Sequence, residues 1–228
     1  MDYQADRTII IGDVHGCLAE LEALITEVNY QPGKDRLFFV GDIINRGPHS
    51  YETFFRMIDL KGRSVLGNHE WSLLERHASG RFSERYLQLK GVFGSQFLFL
   101  LDEIARWPLY IETDDFILVH GGLVPGKAPE DSDPRILTNI RTWDGKGDDL
   151  TNPANPPWFD LYDGEKLVVF GHWAALEGVV RGNVIGLDTG CVYGKKLSAL
   201  ILPGREIVSV PAQQAYVTIG TRSQRDSG

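Results

Sequence analysis

Three times in the first third of the chain, a short apolar run ends on a glycine and then on a residue bearing a carboxylate, amide or imidazole. Thr8-Ile9-Ile10-Ile11 leads into Gly12-Asp13-Val14-His15-Gly16. Arg36-Leu37-Phe38-Phe39-Val40 leads into Gly41-Asp42-Ile43-Ile44-Asn45-Arg46-Gly47-Pro48, and Ser64-Val65-Leu66 into Gly67-Asn68-His69-Glu70. Runs this apolar read as strands buried on both faces. Between them the period becomes helical: Leu18, Leu21, Leu24, Ile25 and Val28 share one face of a helix. Ser50 to Leu60 reads as a second helix with Ser50 as its N-cap, and Trp71 to His77 as a third. The pattern is β-α-β-α-β with a polar side chain at each strand end. Open α/β sheets place their sites at the carboxyl ends of strands, so fold and site are constrained together.

Phe82 to Trp107 reads as mostly helical, weakened at Gly91 and Gly94. Leu109 to Glu112 and Phe116 to Val119 read as a hairpin, and the second strand ends in His120-Gly121-Gly122. Residues 124–160 are rich in Pro, Gly, Asp and Asn and read as a loop-rich insertion or lid, with one short helix at Pro134 to Thr142. Lys166 to Phe170 is a buried strand ending in Gly171-His172-Trp173, and Asn183 to Leu187 is another, ending in Asp188-Thr189-Gly190-Cys191. Leu197 to Leu202 and Glu206 to Val210 flank a turn as a closing hairpin, and residues from Val217 onward read as a frayed tail. No linker separates independent cores, so residues 1–228 read as one domain with a core over 8–210.

The net charge of −8 disfavours a nucleic-acid duplex, which requires a basic surface. It still permits a phosphate substrate where metal cations supply the local positive field. The polar first seven residues lack a signal-peptide pattern, and no apolar run approaches the roughly 20 residues of a membrane span. The expectation is a soluble cytoplasmic protein with no membrane partner. Cys17 and Cys191 lie outside any Cys-x-x-Cys pair and read as buried, reduced thiols.

Six residues at strand ends are of metal-ligand type: Asp13, His15, Asp42, Asn68, His120 and His172. Of six histidines in the chain, four (His15, His69, His120 and His172) fall in these loops, which scattered structural imidazoles would not do. Mixed carboxylate, imidazole and amide ligands suit Mn, Fe, Zn or Co better than Ca or Mg. Six such ligands exceed the needs of one open catalytic ion and suit two, about 3.5–4 Å apart, sharing a carboxylate and a hydroxide and clamping an in-line displacement at phosphorus.

The blocks Gly12-Asp13-Val14-His15-Gly16, Gly41-Asp42 with Arg46-Gly47, Gly67-Asn68-His69-Glu70, His120-Gly121-Gly122 and Gly171-His172 resemble, in order, the signature of the calcineurin-like metallophosphoesterases. More narrowly they resemble its phosphoprotein phosphatase branch. Phe170-Gly171-His172-Trp173-Ala174-Ala175-Leu176-Glu177-Gly178 and Leu187-Asp188-Thr189-Gly190-Cys191, with Cys17 and Pro48, look most like bacterial symmetrical diadenosine tetraphosphatases. The resemblance implies an α/β sandwich of two β-sheets flanked by helices, and two divalent ions, manganese foremost and Fe, Zn or Co as alternatives. It implies that Asp13 and His15 hold the first ion, that Asp42 bridges, and that Asn68, His120 and His172 complete the second. A metal-bridged hydroxide would attack phosphorus, His69 would protonate the leaving oxygen, and Arg46 with Arg141 would bind the phosphate. The implied substrate is a dinucleoside polyphosphate. The alternative is a phosphoprotein, and a non-catalytic metal or nucleotide sensor is a remote third.

Two departures from the family pattern bear on that choice. The protein phosphatases carry an aspartate where this chain has Asn45. Asn45 can accept a hydrogen bond from His69 but brings no negative charge to hold its proton. That favours a better leaving group, a nucleotide phosphate over a serine alkoxide. The stretch between His120 and His172 is also shorter than in many relatives that hydrolyse diadenosine tetraphosphate. Glu70 follows the protein-phosphatase form of its block and reads as a helix-start carboxylate. Asp188 reads either as outer support for the site or as a turn residue.

Overall fold

The computed structural model describes residues 7–218. The first sheet contains β1 (Arg7–Ile11), β2 (Asp35–Phe39), β3 (Arg63–Ser64), β9 (Lys196–Leu202) and β10 (Glu206–Pro211), in the order β10-β9-β1-β2-β3. β1, β2 and β3 run parallel, joined by the crossover helices α1 (Leu18–Glu27) and α2 (Ser50–Asp59). β9 and β10 form the antiparallel closing hairpin beside β1. The second sheet has the order β4-β5-β6-β8-β7, from β4 (Tyr110–Glu112), β5 (Phe116–Val119), β6 (Leu167–Phe170), β7 (Val179–Arg181) and β8 (Val184–Gly186). Its three central strands are parallel and its outer two antiparallel.

The continuous apolar runs are explained by layers on both faces of each sheet. Ile10, Phe38 and Val40 of the first sheet meet Phe116, Leu118, Val169 and Ile185 of the second in one buried cluster. Their neighbours Ile9, Ile11 and Phe39 point the other way, packing with residues of α1, α2, α4 (Glu84–Phe93) and α5 (Phe97–Ile104). Alternate residues of one strand thus serve two cores. Each large side chain so buried contributes roughly 1.5–3 kcal/mol, and the strand ends inherit the rigidity. The outcome is a two-sheet sandwich flanked by helices.

Several boundaries move for identifiable reasons. The third strand keeps its ladder only through Ser64; Val65 and Leu66 leave it, and the Leu66 N–H donates to the Pro108 carbonyl (2.9 Å). The third helix, α3 (Asn68–Ser79), begins three residues earlier than expected, which places Asn68 and His69 in its first turn. Ser50 is not an N-cap: it is the first residue of α2, and its hydroxyl accepts the Asn45 N–H (2.9 Å). The helical stretch after Phe82 breaks at Gly94, whereas Gly91 stays inside α4. β7 was not foreseen; its three residues are partly or fully exposed and carry no apolar periodicity.

Much of the segment 124–160 packs onto the second sheet. Its Leu137, Ile140, Leu150 and Trp158 pack with Ile117, Val119 and Phe170 on the outer face of the second sheet. Its helix, α6, is shorter than foreseen, spanning Pro134–Asn139. Cys17 and Cys191 are buried and free, and folding brings ligand atoms of both within 4.8 Å of each other and of a Glu20 carboxylate oxygen. Among the described residues no helix is long and apolar enough to cross a membrane. Val217 still donates its N–H to Val192 (3.1 Å); residues 1–6 and 219–228, covering the polar start and most of the expected tail, lie outside the described residues.

Candidate metal centre

The loops after β1, β2, β5 and β6 and the first turn of α3 converge at one edge of the sandwich. Asp42 stands at the middle. Its Oδ2 lies 3.4 Å from His15 Nε2 and 3.5 Å from His120 Nε2, and its Oδ1 accepts the His69 backbone N–H (3.0 Å). Asn68 Oδ1 lies 3.0 Å from both His120 Nε2 and His172 Nδ1. Both carboxylate oxygens of Asp13 accept the His172 backbone N–H at 3.1 Å. His15 and His69 meet edge to face at 4.8 Å, and His120 and His172 at 5.2 Å. All six residues of ligand type named from the sequence are therefore in one place.

Two ligand groups emerge, each with its donor atoms within 4.8 Å: His15, Asp42 and His69, and Asp13, Asp42 and His120. Asp42 belongs to both. The tautomers are set from behind. His120 Nδ1 donates to the Val40 carbonyl (2.8 Å), and His15 Nδ1 to the Ile44 carbonyl (3.1 Å). Each ring therefore turns Nε2 toward the Asp42 carboxylate, where the neutral imidazole would offer its lone pair to a bound cation. Two imidazole nitrogens, a carboxylate and an amide oxygen crowd one space. Asp13 and Asp42 are 3% and 2% exposed and have no Lys or Arg ion-pair partner among the described residues. Such a donor set fits divalent cations.

The titration behaviour reflects the same crowding. Burial pushes the Asp13 carboxyl well up, reinforced by Asp188 and Asp42. Burial also works against an ionised Asp42, but His120 and His69 outweigh it and hold that carboxyl well below the usual range. Burial lowers His15 to about 4, against the pull of Asp42. For His120, burial is overcome by Asp42 and Asp13, and its pKa is pushed up to about 10. Burial holds His69 well below its ordinary value, opposed by Asp42 and reinforced by His15, Arg46 and Arg85.

Glycines make the close approaches possible. A Cβ on Gly67 would stand 2.2 Å from Asp42 Oδ1, and one on Gly171 would stand 2.2 Å from Asp13 Oδ1. Glu70 has a larger part than a helix-start carboxylate. It accepts the Gly67 N–H (3.2 Å) and also those of Asp42 (2.9 Å), Ile43 (3.0 Å) and Ile44 (3.3 Å). It ties the α3 start to the Asp42 loop, which runs through the left-handed region at Asp42, Asn45 and Arg46. Burial, with Asp42 close by, raises the Glu70 carboxyl to about 7.

The remaining candidates form the rim. Arg46 donates to the Tyr193 hydroxyl and lies over that ring, 5.5 Å from its centroid. Arg141 reaches the His172 carbonyl (3.4 Å), and its buried Nε has no hydrogen-bond partner. Asp188 accepts the Gly190 N–H (3.1 Å), which is the turn role, while its charge acts on Asp13. Asn45 and His69 line one cavity, yet the Asn45 side chain makes no hydrogen bond to His69 among the described residues. Tyr193 and the α3 and α4 side chains near His69 escaped the sequence reading. Tyr193 follows Cys191 by two residues, and that adjacency was the only cue.

A two-sheet sandwich with an acid-, imidazole- and amide-lined metal cleft at its strand ends defines a phosphoesterase class. The model of the calcineurin-like phosphoesterase family matches residues 7–176, and the chain belongs to that family. It is a hydrolase of phosphoric esters or anhydrides. The symmetrical bis(5'-nucleosyl)-tetraphosphatase of Methylobacillus flagellatus is 30% identical over 270 residues, covering 91% of this chain and 96% of its own length. The asymmetrical bis(5'-nucleosyl)-tetraphosphatase of Oceanobacillus iheyensis is 32% identical over 234 residues, covering 91% and 93%. A crystal structure provisionally assigned as a diadenosine tetraphosphatase superposes with a TM-score of 0.82 at 33% identity, covering 93% of this chain and 96% of that one.

Proposed function

We propose that this chain hydrolyses dinucleoside polyphosphates, such as diadenosine tetraphosphate, with two divalent ions held in the cleft, manganese foremost. The observation that carries the reading is the sharing of Asp42, whose Oδ2 faces His15 Nε2 at 3.4 Å and His120 Nε2 at 3.5 Å. Asp13 and His15 would hold one ion and Asn68, His120 and His172 the other, with Asp42 between. When bound, such ions acidify a water molecule and neutralise phosphoryl oxygens.

The chain's own residues do the rest. Arg46, steadied by Tyr193, and Arg141, with its free Nε, would bind the non-bridging phosphate oxygens; a planar guanidinium suits paired contacts to phosphate. His69 would pass a ring proton to the departing oxygen. Burial favours its neutral form, and the negative charge of a bound polyphosphate works in the opposite direction. Asn45 adds no charge to that balance. A departing nucleotide phosphate needs less help from His69 than a serine alkoxide does, so the anhydride is the better-matched substrate. A cytoplasmic location is part of this reading.

Purified protein given Mn²⁺ should cleave diadenosine tetraphosphate faster than a phosphopeptide at the same concentration, and EDTA should stop it. Chromatography of the products reads the mode: two ADP for symmetrical cleavage, ATP with AMP for asymmetrical. Failure to cleave the anhydride with any divalent ion would sink the proposal. Faster turnover of the phosphopeptide would reassign the substrate class.

A further inference from the structure

Beside His69 a cavity of about 390 Å³ opens between α3 and α4. That lies within the range of small-molecule sites, about 300–1,000 Å³. One wall is a single face of α3: Asn68, Ser72 and Arg76 at four-residue intervals, with His69 and Leu73 beside them. The other wall is α4, with Arg85, Gln88 and Leu89 on one face. From the candidate ligand Asn68 to Arg76 is eight residues, or about 12 Å along the helix. The cavity is therefore a channel that begins at the metal centre and runs away from it on the side of the proposed proton donor.

Its charge runs against that of the chain as a whole. The chain carries a net charge of −8, yet this channel presents two arginines and one carboxylate, Glu84. Among the described residues neither guanidinium has a hydrogen bond or ion pair. Glu75 and Glu84 adjoin them in sequence, but successive residues of a helix do not face each other. Leu73, Tyr86 and Leu89 provide an apolar floor, and Gln88 offers an amide that can both donate and accept. Cations, an apolar surface and a two-way amide in one channel are what a nucleotide requires.

We propose that this channel is the subsite for the leaving nucleotide, with Arg76 and Arg85 binding its phosphate chain and Leu73, Tyr86, Leu89 and Gln88 receiving the nucleoside. The assignment rests on the dinucleoside polyphosphate reading given above. In the reaction, the bond between the attacked phosphorus and its bridging oxygen breaks. Water's oxygen takes that place on phosphorus, and the departing nucleotide phosphate leaves with the electron pair on the His69 side. Arg76 and Arg85 touch no reacting atom; they bind the group that departs and thereby set which leaving groups the enzyme prefers.

The test compares diadenosine tetraphosphate with 4-nitrophenyl phosphate, whose leaving group carries no phosphate. In Arg76→Gln/Arg85→Gln, the ratio of kcat/KM for the dinucleotide to that for the aryl ester should fall about tenfold, through KM for the dinucleotide, as loss of charge-assisted hydrogen bonds at exposed side chains would give. Gln88→Glu, which adds a negative charge to the channel without removing a cation, should lower the same ratio. If wild-type protein cleaves the dinucleotide and both variants keep the ratio within about twofold, the subsite is wrong and the substrate reading stands. If wild-type protein cleaves only the aryl ester, the substrate reading fails and takes the subsite with it.

Discussion

At the floor of the cleft, Asp13, His15, Asp42 and His120 are buried, and the backbone is held in the left-handed region at His15, Asp42, Asn45, Arg46 and His172. Along the α3–α4 wall the backbone is regular helix, and Arg76, Arg85 and Gln88 are exposed. Non-glycine residues at positive φ cost on the order of 1–3 kcal/mol each and persist only where the surroundings over-determine them. Here the surroundings are the two sheets and the Glu70 carboxylate that binds four backbone N–H groups. The floor is thus rigid at the expense of strain, and the wall is unstrained and adaptable. The difference separates two demands. On the proposed reading, holding cations and a phosphorus atom tolerates little positional error, whereas recognising a departing nucleotide requires only charge and surface within reach.

That division makes the floor and the wall respond differently to mutation. The largest effect is expected at the floor's centre. Asp42→Asn should lower kcat at least about 10³-fold on every substrate, since it weakens both candidate cation positions, and metal content measured by elemental analysis should fall. An active, fully loaded variant would show that the two groups do not share this carboxylate. His69→Asn stands at the boundary. Its kcat should fall between about 10² and 10³-fold for a poor leaving group and much less for 4-nitrophenyl phosphate. An equal fall for both would remove proton donation from its role. Glu70→Gln probes the strain itself. It replaces a buried carboxylate accepting four N–H groups with a neutral amide, so stability in denaturant should fall by about 1–3 kcal/mol, with a smaller loss of activity. Unchanged stability would mean that the Asp42 loop holds its shape without Glu70.

The floor was legible in the sequence because its candidate ligands stand where apolar runs end, each beside a glycine, and strand ends are the places a packed sheet fixes best. Arg141 was legible only as a loose match, because it sits in a loop-rich segment whose course is set by packing against the second sheet. Asn45 shows the opposite failure. It lines the same cavity as His69, but among the described residues its side chain makes no hydrogen bond to that ring, and its backbone N–H donates to Ser50. Glu70 and Tyr193 were undervalued because their partners lie about 28 and 147 residues away in the chain.

The amino-acid sequence by itself determined most of the order of strands and helices, the candidate ligand types and the strand ends that carry them. These depend on local periodicity and on residue chemistry, both of which are properties of short segments. Tertiary structure alone decided that Asp42 lies between His15 and His120, that Glu70 ties two loops together, and that two arginines without an ion-pair partner among the described residues line a channel leading from His69. Such relations depend on distances between segments far apart in the chain, and those distances are fixed by how two sheets pack across a shared core.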